Sequence, residues 1–161
     1  MSIALGCPVL KGNSEVIDSF TLALDSNGAA IKIQPGVPAY IDSDNTLAAC
    51  EDDTVLPDGI AGIVNADGLS QGLIRTGLRV GVRLEEGLDT AIGEQVYLQV
   101  ADGQLTNDPD LDSLSAPQNL ALNATFASVS TGVAAYDPLT KADLSDATYE
   151  AALIDFAGGL K

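Results

Sequence analysis

Three arginines, Arg75, Arg79 and Arg83, stand four residues apart in LIRTGLRVGVRL at 73–84. The chain has seven basic residues against 23 acidic ones, so this row gathers much of its scarce positive charge. A guanidinium is a planar fork of donors that fits a carboxylate bidentately. The row therefore serves one of two ends: ion pairs with the chain's own carboxylates, or contact with another subunit or a docking surface. Gly77 and Gly81 lie between the arginines and leave room for a partner backbone.

The acidic residues suggest other chemistry. DSDNT at 42–46 and DPDLD at 108–112 each place oxygens at positions 1, 3 and 5 of a loop. A helix–loop–helix calcium site also wants Gly at position 6 and Glu at position 12. Here those positions hold Leu47 or Ser113, and Asp53 or Asn119. Solvated turns fit better, so Asp108, Asp110 and Asp112 are weak metal candidates, and no metal or cofactor is expected. Two carboxylates across a cleft suffice for glycoside hydrolysis. Such sites are lined with aromatics, and only 4% of this chain is aromatic. Histidine is absent, which removes the commonest general base, the Ser-His-Asp and Cys-His arrangements, and most zinc sites. Cys7 and Cys50 are too few for a structural zinc site and read as free or buried thiols ahead of a bridge. No phosphate-binding glycine motif is present. The expectation is a protein that is not an enzyme.

The elements that must position these residues are short strands. With 161 residues, 46% of them apolar, the chain can build one core, and its 16 glycines and 7 prolines punctuate it often. Residues 1–19 read as an extended N-terminal arm with little core of its own, and residues 20–161 as a single β-rich domain. FTLAL at 20–24 and AAIKI at 29–33 flank an Asn27-Gly28 turn. AYI and TLAAC flank DSDN, and IAGIV at 60–64 is a further strand. In 73–84, Ile74, Thr76, Leu78, Val80, Val82 and Leu84 alternate with arginine and glycine, which predicts one long strand. GEQVYLQVADGQLT at 93–106 predicts a hairpin turning on Asp102-Gly103, with Tyr97 packed inside. One or two strands follow in 124–136, and 142–156 fits helix or strand. The fold class is all-β, or β-rich with one or two short helices: a small barrel or sandwich of short antiparallel strands. A glycine precedes a tyrosine by four residues at Gly36–Tyr40, Gly93–Tyr97 and Gly132–Tyr136, which suggests that one hairpin is reused.

The net charge of −16 disfavours nucleic acid and anionic membranes as partners. No run approaches 18 apolar residues. MSIALGC has too little before Cys7 to read as a lipoprotein signal, so synthesis in a reducing cytoplasm is expected.

The order of segments resembles a known family. PGVPAYIDSDNTLAACEDD is followed by PDGIAGIVNADG, then LIRTGLRVGVRLEEG, then GEQVYLQVADGQLTND. This order is similar to the decoration, or cement, proteins of tailed-bacteriophage capsids, most clearly over residues 30–108. The resemblance implies a β-protein of the virion, made in the host bacterium, that binds the outer capsid surface. Its partner would be the major capsid protein, and it would bridge capsomers as a homo-oligomer, a trimer ahead of a dimer. The family has no catalytic residues to carry over. Under this reading Arg75, Arg79 and Arg83, with Ile3, Leu5, Val9 and Leu10 of the arm, are the candidates for subunit or capsid contact. Another virion β-module (tail, collar or fibre) and a calcium- or ligand-binding β-module are the alternatives.

Overall fold

A computed structural model describes residues 2–9, 16–50, 55–76, 78–85, 87–99, 102–110, 119–130, 134–136 and 149–160. Among these residues there are thirteen strands and no helix. They are β1 (Ser2–Ala4), β2 (Pro8–Val9), β3 (Val16–Leu22), β4 (Pro38–Ile41), β5 (Thr46–Ala49), β6 (Gly59–Val64), β7 (Ser70–Thr76), β8 (Leu78–Glu85), β9 (Gln95–Leu98), β10 (Leu105–Thr106), β11 (Leu120–Phe126), β12 (Ala134–Tyr136) and β13 (Tyr149–Leu160). The all-β expectation holds. The ambiguous C-terminal stretch is a strand from residue 149 onward, and 142–148 lie outside the described residues.

Strands β3-β5-β4-β6-β7 close into a barrel. Strands β10-β9-β11-β13-β8 form a second ring, closed where Leu84 of β8 meets Leu105 of β10. The two rings have the same topology. With β8, β9, β10, β11 and β13 substituted for β3, β4, β5, β6 and β7, the neighbours and every direction agree, including one parallel pair in each ring. The register agrees as well. Leu47 lies between Leu22 and Ile41 as Leu105 lies between Leu84 and Leu98. Gly36 (φ 88°) and Gly93 (φ 91°) make the same left-handed entry into the tyrosine strand. Their amides donate to Ala61 O and Phe126 O, each at 2.8 Å. Three residues before each glycine, a side chain caps the main chain: Ile33 N–H donates to Gln71 Oε1 (3.0 Å) and Thr90 N–H to Ser130 Oγ (3.1 Å). The glycine–tyrosine spacing at 36–40 and 93–97 is thus the surface trace of one five-stranded unit used twice.

This corrects two expectations. The alternating run 73–84 is two strands in two barrels, β7 and β8, with Gly77 between them outside the described residues. Alternation reports which face is buried and is silent about which strand lies alongside. In the 93–106 hairpin, Val96 and Leu98 are buried, while Tyr97 is half-buried on the opposite face. Period two fixes that faces alternate but not which face is the core.

The barrels join through strands buried on both faces. Ala61 pairs with Leu73, and both pack with Leu22 and Leu47 in the first core. Their neighbours Ile60 and Ile74 also pair, and pack with Val80, Val82 and Leu84 in the second core. The unbroken apolar stretch in β6 follows from this double burial.

The N-terminal segment is part of this body. β1 pairs parallel with β12, Leu5 bridges to Gly81, and β2 pairs with Val80 and Arg79 of β8. Ile3 and Leu5 are fully buried with Ala151. The expected arm with little core is therefore a docked segment, and β3 begins at Val16, inside its expected span. Three alternating residues are too few for periodicity to register. The close approach anticipated for the glycines occurs at Gly81, where a Cβ would collide with Ala4 O. The approaching backbone is the chain's own.

Gln71, fully buried, closes one end of the first barrel. It accepts from Ile33 N–H and donates to Ile33 O and Gly62 O, both at 2.8 Å. Gln71→Leu strands these groups in the interior, where each unpaired group costs about 1–3 kcal/mol. Denaturant unfolding should show a loss of roughly 2–4 kcal/mol; an unchanged midpoint would remove Gln71 from the account.

Candidate functional site

The arginine row divides along the chain. Arg75 Nη1 lies 3.4 Å from Asp18 of β3. Arg79 clasps Asp155 of β13 bidentately, Nε at 2.8 Å and Nη2 at 3.1 Å, and this hydrogen bonding together with the carboxylate charge holds its pKa above the ordinary value. The two residues are direct cross-strand partners. Arg83 lines a cleft, and its main-chain N–H donates to Gly36 O at 3.0 Å. Arg75 and Arg79 therefore answer the chain's own carboxylates. Ile3 and Leu5 are occupied in the core, and the backbone of Val9 pairs with Arg79. Leu10 and Asp112 lie outside the described residues.

The acidic loops spend their oxygens on themselves. Asp42 accepts from Asp44 N–H, Thr46 N–H and Thr46 Oγ1–H. Asp67 accepts from Leu69 N–H, Ser70 N–H and the Ser70 hydroxyl. Asp25 accepts from Asn27 and Ala29 N–H, and Asp108 from Asp110 N–H. Each is an aspartate folding its own loop, the reason this residue favours turns. Among the described residues no group of three or more acidic, cysteine or histidine side chains is placed to hold a metal ion.

A cleft of about 330 Å³ beside the first barrel has room for a ligand. Lys32, Gln34, Val37, Tyr40 and Ala49 line it from the first barrel, and Arg83 and the turn at 102–104 from the second. Sequence reasoning passed over 31–37 as a strand followed by a break. Aligning IKIQPGVPAYI (31–41) with LDTAIGEQVYL (88–98) on their glycines would have exposed it, because the polar side chains of one copy are absent from the other.

Cys7 and Cys50 do not form a disulfide. Cys50 is buried and lines the cleft; burial first, then the Asp58 carboxylate, pushes its thiol up to about 12. Alkylation of Cys50 at pH 8 should therefore track unfolding, and rapid labelling of the native chain would contradict this. The hydrogen bonds to Asp42 and Asp67 hold both carboxyls below the ordinary range, led by the Thr46 hydroxyl and Leu69 N–H respectively. A depressed folded pKa gives stability that is present above the unfolded value, about pH 4, and lost as pH falls through the folded one. Carbon-detected titration should find Asp42 and Asp67 protonating below the ordinary carboxylate range; midpoints at the ordinary value would contradict the turn geometry.

No protein-family model, no curated protein and no solved structure matches this chain.

Proposed function

We propose that the protein is a structural component of a phage virion that binds the outer capsid surface and braces neighbouring capsomers. It acts without catalysis, as a homo-oligomer, with the major capsid protein as partner. The carrying observation is how the acidic residues are used. Where their bonds are described, they cap their own turns or pair across strands, and they do not converge on a reacting centre. Such a molecule works through its surface. The order of segments that resembles cement proteins supports the same reading, as does a net charge of −16, tolerable outside a DNA-filled shell and unfavourable inside it. Binding an assembled shell in preference to its separated parts stabilises the shell by linkage, and several weak contacts per oligomer add through effective concentration.

Of the arginines, Arg83 is the contact candidate because it lines the cleft. Purified protein should bind expanded shells of its own phage and raise their melting temperature, with Arg83→Glu weakening that binding while the isolated chain still folds. Absence of binding to every shell form would reject the proposal.

A further inference from the structure

The repeat allows the two copies of the unit to be compared position by position. Gly36 corresponds to Gly93 and Leu47 to Leu105, so Lys32, Gln34, Val37 and Ala49 correspond to Asp89, Ala91, Glu94 and Asn107. In the second barrel these positions form a closed group. Ala91 N–H donates to Glu94 Oε2 at 2.7 Å. The Asn107 amide donates to that same oxygen at 3.0 Å and to Asp89 O at 2.7 Å.

In the first barrel both filling side chains are missing. Val37 replaces the carboxylate and Ala49 replaces the amide, and both residues line the cleft. The donors remain. Neither Gln34 N–H nor Lys32 N–H has a partner among the described residues. The Gln34 side-chain Nε2 is sealed from solvent and also has no acceptor. A buried donor without an acceptor costs about 1–3 kcal/mol, so such groups are normally paired. Ile31 and Ile33 are bonded at alternate positions, to Ala23 O and Gln71 Oε1, which is the spacing of an extended chain with one edge used. Lys32 and Gln34 then form the other edge.

We infer that this cleft receives an extended peptide carrying a glutamate. Its backbone runs along the edge at Lys32 and Gln34, as in strand addition. Its carboxylate takes the place that Glu94 holds in the second barrel. Charge favours this occupant: among the described residues that line the cleft, Lys32 and Arg83 stand against the single Asp102. The inference does not depend on the capsid reading.

The test uses the full chain and the capped pentapeptide Ac-Val-Glu-Val-Glu-Val-NH2, followed by amide NMR and hydrogen exchange. The peptide should shift the Lys32 and Gln34 amide signals and slow their exchange at least tenfold, leaving the Asn27 and Gly28 amides unchanged. Lys32→Glu should weaken binding at least tenfold. The double variant Val37→Glu with Ala49→Asn should protect the Gln34 amide with no peptide present and abolish peptide binding. Three results would overturn the inference: no shift at millimolar peptide, equal binding of a backbone N-methylated peptide, or equal binding of free glutarate.

Discussion

The fold turns on a backbone crossing at Gly81. There the N-terminal segment runs against β8 so closely that any side chain on residue 81 would strike Ala4 O. Gly6 N–H donates to Gly81 O at 2.9 Å, and Gly6 itself abuts Ala61 O and Pro35 of the first barrel. One segment therefore touches both barrels. It also completes β8. The two-residue β10 meets β8 only at Leu84, and β2 with Leu5 covers the same strand from residue 79 to 81. Without this segment, part of an edge would stand open, a liability in any small sheet protein. Together with β6 and β7, which bury Ile60 and Ile74 on one face and Ala61 and Leu73 on the other, the crossing joins two similar barrels into one body.

The two copies differ at one loop. Both units share order, register and the left-handed glycine, yet the second fills its loop with Glu94 and Asn107, while the first has Val37 and Ala49 there, beside a cleft that Gln34 also lines. Asp25, Asp42, Asp67 and Asp108 have a plainer task. Loops as short as DSDNT hold shape because the first aspartate binds the amides that follow it. A strongly acidic composition thus reflects turn chemistry as much as any partner.

Much of the fold was legible in the sequence because its signals are local. Asn27-Gly28, Asp102-Gly103 and alternation in 73–84 each report a turn or a buried face within a few residues. The spacing of Gly36–Tyr40 and Gly93–Tyr97 even carried the trace of the repeat. What escaped was non-local. Alternation continues unchanged from β7 into β8 although the neighbouring strands change completely. Ile3 and Leu5 resemble any short apolar tail until Gly81 supplies their seat. Of the two ends open to the arginine row, pairing with the chain's own carboxylates is found for Arg75 and Arg79, but that Arg79 finds Asp155, 76 residues away, is a matter of topology. The cleft was hidden for the same reason, being defined by side chains that only the other copy possesses.

The central claim is that the N-terminal segment is a structural member of both barrels. Its most direct measurement is the thermal melt of a chain lacking residues 2–9. Losing the burial of Ile3 and Leu5 removes roughly 1.5–3 kcal/mol for each side chain. At this chain length that predicts a fall in melting temperature on the order of 10 °C. A truncated chain that melts at the temperature of the intact one would contradict the account.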